Sequence, residues 1–163
     1  MFKSILALLI ITLAAMATAG APRGPKPPAL TYLFTVNNSL STGVTISPTR
    51  SAIPITSGAF AGPKLNGTLL SIGVDFYDRD AAGNIYPDAA YVMQTSDGAN
   101  IIARARGHAP VEYITFETGA PQYAWLNGIV GVTYVSLIPG AVRIDVWQWG
   151  PDLTTNGRNC WEG

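Results

Sequence analysis

The sequence predicts an all-β protein: a single closed antiparallel β-barrel of about eight to ten strands. Three observations carry this. From Leu30 onward no long stretch has helical periodicity, and the 17 Gly and 12 Pro of the 163 residues recur too often for helices of ordinary length. In place of helices come short runs with alternating faces, enriched in β-branched and aromatic residues. Turn residues interrupt these runs about every 8 to 12 positions over roughly 120 residues, the spacing of an antiparallel meander. Closure into a barrel removes exposed edges, and a two-sheet sandwich is the alternative that fits the same pattern. No internal repeat is present.

The elements follow in order. TYLFTV, Thr31 to Val36, separates Tyr32, Phe34 and Val36 from Thr31, Leu33 and Thr35. Gly58, Gly62 and Gly67 recur within one strand region, where glycine permits bulges and tight bends at barrel corners. GVDFYDRD runs into the turn Ala81-Ala82-Gly83-Asn84 and resumes as IYPDAAYVMQT. Ser96-Asp97-Gly98 then leads into ANIIARARG, an Asp-Gly hairpin signal. Last, GIVGVTYVSLI and AVRIDVWQW flank Pro139-Gly140 as another hairpin, with Val142, Ile144 and Val146 on the core face and Arg143 and Asp145 toward water.

The flanks read differently. Residues 1–19 have the form of a secretory signal peptide: Lys3, an apolar run from Ile5 to Ala15, and the small-x-small pattern Ala17-Thr18-Ala19. That run is shorter than the roughly 20 residues of a membrane span, so no stable membrane insertion is expected after cleavage. Residues 20–29 form a Pro-rich linker, 30–150 the barrel, and 151–163 a polar tail containing the lone Cys160. The expected location is secreted, or the lumen of the secretory pathway. Asn37 and Asn66 then head the sequons Asn37-Asn38-Ser39 and Asn66-Gly67-Thr68.

Only 12 % of the residues are charged, with ten basic, Lys3 among them, against ten acidic. Loss of the leader leaves one net negative charge, which argues against a nucleic-acid or anionic-membrane partner recruited by charge. No nucleophile elbow, phosphate loop or Cys-x-x-Cys occurs, and the single histidine excludes a multi-histidine metal site. Carboxylates such as Asp75, Asp88 and Glu117 have no metal-motif spacing, so no metal and no cofactor is expected. His108 sits at a strand end or loop, where it is either a general acid or base or an exposed loop residue. Asp75 and Tyr77 share one strand face and line a cavity if they point inward, or are solvated if outward. Arg104 and Arg106 also share a face, and an inward arginine would need a carboxylate such as Asp75 or Glu117, or an anionic ligand.

Order and spacing of several segments resemble the DUF3237 family, also called UPF0311. They are Pro54 to Gly67, PITSGAFAGPKLNG; Gly73-Val74-Asp75; Asp88-Ala89-Ala90-Tyr91; Asp97-Gly98-Ala99; and Phe116-Glu117-Thr118-Gly119 running to Trp125-Leu126-Asn127. Ser57 and Phe76 depart from the usual pattern, as do the short segment around His108 and the N-terminal leader. The resemblance implies a closed, calycin-like barrel and no established reaction. It marks Asp75, Tyr91, Glu117, Tyr123, Trp125 and Asn127 as residues that barrel closure does not require. The expectation is therefore a protein binding a small, hydrophobic, oxygen-bearing molecule, as a cofactor-independent isomerase, cyclase or dehydratase of natural-product metabolism. Asp75 or Glu117 would be acid or base, Tyr91 and Asn127 would hold oxygens, Arg104 would bind substrate, and Tyr123 and Trp125 would shape the pocket. The alternatives are a non-catalytic carrier, or a secreted interaction or carbohydrate-binding protein using Trp147 and Trp149; a homo-oligomer is left open.

Overall fold

A computed structural model describes residues 27–39 and 41–150. The leader, most of the Pro-rich linker, the C-terminal tail and Cys160 lie outside the described residues. The strands are β1 (Leu30–Ser39), β2 (Val44–Thr45), β3 (Arg50–Ile55), β4 (Gly58–Ala61), β5 (Asn66–Leu69), β6 (Gly73–Arg79), β7 (Ile85–Tyr86), β8 (Asp88–Thr95), β9 (Asn100–His108), β10 (Val111–Glu117), β11 (Val130–Ile138) and β12 (Ala141–Trp149). One 3-10 helix, Pro121–Gly128, separates β10 from β11.

Eight strands close the barrel, in the order β8-β5-β4-β1-β12-β11-β10-β9 and back to β8, with every pairing antiparallel. The remaining four leave the ring on one side. β6 pairs with β8 only through Val74 and Asp75, then carries β3 and β7 on its two edges, and β2 pairs with β3. This flap widens one end of the barrel.

Both hairpin signals form the expected turns. Gly98 has φ +89° and Gly140 φ +73°, a backbone region that side-chain-bearing residues rarely adopt. The Asp80 carboxylate organises the loop between β6 and β7: it accepts from the amides of Ala82 and Asn84, from Asn84 Nδ2 and from the Tyr86 hydroxyl, all within 2.9 Å. Glycine also permits close approach of neighbouring strands. A Cβ at Gly62 would lie 1.9 Å from the Leu33 carbonyl oxygen.

One alternation differs from the simple reading. A register shift between Tyr32 and Phe34 buries both Leu33 and Phe34 and leaves Tyr32 on the outer surface, apart from Phe34 and Val36. A bulge inserts an extra residue into the strand, so side chains beyond it change face. On β12, by contrast, Val146 is fully buried and Arg143 pairs with Asp145 on the outside, as the alternation predicts.

Bulky side chains fill half of the interior. Phe34 meets Phe60 and Phe116 at ring-centroid distances of 5.8 Å each, and Met93, Ile101 and Ile114 are fully buried around them. Burial of a side chain such as Phe34 stabilises the fold by about 2 to 3 kcal/mol. The 3-10 helix closes this end with Leu126, also fully buried. Toward the other end the inward residues of β8 and β9 shrink to Ala89 and Ala105. The barrel interior opens there.

Candidate functional site

A cavity of about 520 Å³ occupies the widened end, beside the flap. Strand parity decides what faces it. On β10, Glu112, Ile114 and Phe116 are buried and point inward, while Val111, Tyr113 and Glu117 are exposed. On β6, Asp75, Tyr77 and Arg79 line the cavity, leaving Phe76 outward and 40 % exposed. The open question about Asp75 and Tyr77 is thus answered: they face in. Opposite stands an apolar wall of Val36, Val135, Val142 and Ile144, with Asn38 beside it.

Two carboxyls share this space, and their surroundings differ. Glu112 is 6 % exposed, and the one hydrogen bond to its carboxyl among the described residues comes from the Thr133 hydroxyl at 3.3 Å. Loss of solvation, reinforced by the charge of Asp75, pushes its pKa up to about 7. Asp75 is raised as well, again first by burial, but the Asp88 backbone amide donates to its Oδ1 at 3.0 Å and favours its anion. Glu112 is therefore the carboxyl that holds a proton near neutral pH, and Asp75 the one better suited to be ionised.

Tyr91 completes the constellation. It is 3 % exposed, lines the cavity, and its hydroxyl has no hydrogen-bond partner among the described residues. Burial, with Glu112 nearby, holds its pKa above the ordinary phenol range, so it stays a donor. Gly73 lets β6 pack directly against Tyr91, because a Cβ there would come within 2.7 Å of the Tyr91 Cβ. Among the described residues no group of three or more His, Cys, Asp or Glu side chains is arranged to hold a metal ion.

The structure brings together only part of the residue set expected from the sequence. Asp75 and Tyr91 meet in the cavity; Glu117, Arg104, Tyr123, Trp125 and Asn127 do not line it. Glu117 lies five positions from Glu112, an odd spacing on a strand, so it faces outward and pairs with Arg104 at 3.1 Å. Arg106 pairs with Asp88 on the same outer face at 2.5 Å. The expectation of one shared pocket is thereby corrected.

Tyr123, Trp125 and Asn127 belong to the 3-10 helix at the opposite end. The Tyr123 hydroxyl donates to Asp97 at 3.2 Å, and Trp125 packs against the core. Asn127 accepts from the Thr118 amide at 2.8 Å and donates to the Thr118 carbonyl at 2.9 Å, which uses both ends of its amide. Tyr91 lies on β8 and Asp97 in the turn beyond it; the four residues from Tyr91 to the strand end at Thr95 alone span roughly 13 Å. His108 ends β9 edge-on to Tyr86, with ring centroids 4.6 Å apart, outside the cavity lining. Asn37 and Asn66 are both exposed. Trp149 is 56 % exposed, while Trp147 rests edge-on against Tyr32.

Glu112 is the residue that sequence reasoning missed. VEYITFE contains the signal, since Glu112 alternates in phase with Ile114 and Phe116. Val111 and Tyr113 on the other face are also apolar and hide it.

Comparisons with known proteins agree with this architecture. The chain is 34% identical over 124 residues to the hydroalkoxylation enzyme phnH of Penicillium herquei, covering 74% of this chain and 83% of that one. A UPF0311 protein of Clostridium acetobutylicum is 29% identical over 121 residues, covering 61% and 77%. Among solved structures, an enzyme from Penicillium herquei superposes with a TM-score of 0.69 at 30% identity, over 79% of this chain and 99% of that one. A beta-barrel like protein from Acinetobacter baumannii does so with a TM-score of 0.70 at 28% identity, over 77% and 98%. The profile of the protein family of unknown function DUF3237 matches residues 28–113, a stretch that contains Asp75, Tyr91 and Glu112 and stops short of Glu117. The chain belongs to the DUF3237 family, within which it is similar to at least one enzyme.

Proposed function

We propose that the chain is a cofactor-independent enzyme that rearranges a small, hydrophobic, oxygen-bearing molecule by paired proton transfer in the barrel cavity. One observation carries the reading. Two buried carboxyls share a largely apolar cavity with the Tyr91 hydroxyl, which has no partner among the described residues. The pKa of Glu112 is raised to about 7, and that of Asp75 is raised as well but with the Asp88 amide donating to its anion. Carboxyls whose environments push them apart are how a site runs acid and base chemistry together.

The similarity to a hydroalkoxylation enzyme supports a particular form of that chemistry, the addition of a hydroxyl across a carbon–carbon double bond within one substrate. Glu112 gives its proton to one alkene carbon. The substrate oxygen forms the new carbon–oxygen bond at the other carbon, and its proton passes to Asp75. Return of that proton from Asp75 to Glu112 restores the enzyme, and substrate and product are isomers. The Tyr91 hydroxyl donates to a substrate oxygen and fixes the orientation. The aliphatic wall keeps water from adding in place of the substrate's own oxygen.

The test begins with protein purified from its own host, and native mass spectrometry to identify a co-purifying molecule. That molecule or its unsaturated precursor is then incubated with wild type, Asp75→Asn and Glu112→Gln in D2O. The expected result is one deuterium on carbon in the wild-type product and a loss of turnover of at least 100-fold in each variant. Recovery of unaltered molecule after long incubation would establish a carrier.

The leader pattern and sequons support a further proposal, that the chain enters the secretory pathway and matures at Gly20. Intact-mass and N-terminal analysis of protein secreted by the host tests it, and a mass shift after glycosidase treatment tests Asn37 and Asn66. Retention of residues 1–19 would refute the processing.

A further inference from the structure

The cavity holds a second polar group with no partner. Asn38 lies on β1, inward, and its Oδ1 is buried without a hydrogen bond among the described residues. It stands in a row with Val142 and Leu137, and next to the row of Val36, Ile144 and Val135. All five neighbours are aliphatic. A buried acceptor left empty in such a setting costs stability, and native proteins seldom keep one without use.

Its position defines the use. From Tyr91 on β8 the wall runs through β5 and β4 to Asn38 on β1, three strand spacings or about 14 Å around the barrel. Tyr91 offers a donor on one side, Asn38 an acceptor on the other, and only apolar surface lies along the wall of β11 and β12. We infer that the substrate is an elongated lipophilic molecule with polar groups at two separated ends: an oxygen acceptor placed on Tyr91, and a hydroxyl donated to Asn38 Oδ1. Asn38 is then a specificity-determining residue, selecting molecules that carry a free hydroxyl remote from the reacting centre. This inference rests on the cavity being the substrate site proposed above.

Binding alone tests it, with 6-propionyl-2-naphthol as the probe. This rigid fluorescent molecule has a hydroxyl at one end and a ketone at the other; its methyl ether lacks only the donor, and 6-propyl-2-naphthol lacks only the ketone. Wild type is expected to bind the hydroxy ketone about tenfold or more tighter than either analogue. Asn38→Leu should bind the ketone and its ether alike while still preferring the ketone to the propyl compound. Tyr91→Phe should show the reverse pattern. Asn38→Leu should also melt at or above the wild-type temperature, because it removes an unpaired buried oxygen. Equal binding of phenol and ether by wild type, no binding of the hydroxy ketone, or a preference that survives Asn38→Leu would each overturn the inference. Glu112→Gln keeps the binding preference if the inference holds, even where the enzyme reading fails, so the two failures are told apart.

Discussion

Glu112 holds its proton because the barrel denies its anion water, and that has a consequence for stability. In the unfolded chain the carboxyl titrates near 4.5, against about 7 in the fold. Below pH 4.5 both states are protonated and the group costs nothing in charge. Between 4.5 and 7 the unfolded chain releases its proton first, so stability falls, by about 3 kcal/mol in total, and levels off above 7. Asp75 adds to the same trend, since it too is raised. Urea midpoints measured from pH 4 to 8 should show this decline in wild type and a markedly flatter line in Glu112→Gln. Turnover should likewise fall above about pH 7, where the acid is lost. Glu117, 68 % exposed beside Arg104, behaves differently: Glu117→Gln should leave turnover unchanged and shift stability by less than about 1 kcal/mol, as an exposed pair permits. Asp75 and Tyr91 were legible in the sequence as side chains that a barrel does not need. Which of two glutamates joins them depends on strand phase, and phase shows only once the inward partners are known.

At the scale of elements, alternation and turn chemistry placed β1, β6, β9, β11, β12 and both hairpins. The region read as one strand around Gly58, Gly62 and Gly67 is instead the hairpin of β4 and β5, and IYPDAAYVMQT divides into β7 and β8. Alternation could not place the bulge in β1, because nothing in TYLFTV distinguishes a strand with Leu33 and Phe34 both buried from one that alternates strictly. Nor did Phe116 to Asn127 announce a helix: only Leu126 of Pro121–Gly128 is buried, so no repeating apolar face exists to read. Gly119 and Ala120 lead from β10 into this helix, which packs Leu126 into the end of the barrel. Leu126→Ala should therefore lower stability by about 2 to 5 kcal/mol in chemical denaturation. Probe affinity at the far cavity should change little. Gly62→Ala should be at least as damaging, since the added methyl meets the Leu33 backbone rather than a movable side chain.

For the whole molecule, the same eight-stranded ring serves two purposes along its axis. The half with Phe34, Phe60, Phe116 and Leu126 supplies the packing energy, and the half with Ala89 and Ala105 supplies the room. The flap of β2, β3, β6 and β7 brings Asp75 over to the ring by only two residue pairings with β8. Because the 3-10 helix packs into one end with Leu126, the cavity lies toward the other, beside the flap. Under the proposed function, a substrate and its isomeric product would compete for this one cavity. Product added at the start of a progress curve should thus inhibit competitively, raising KM without lowering kcat, and turnover can run no faster than the cavity empties.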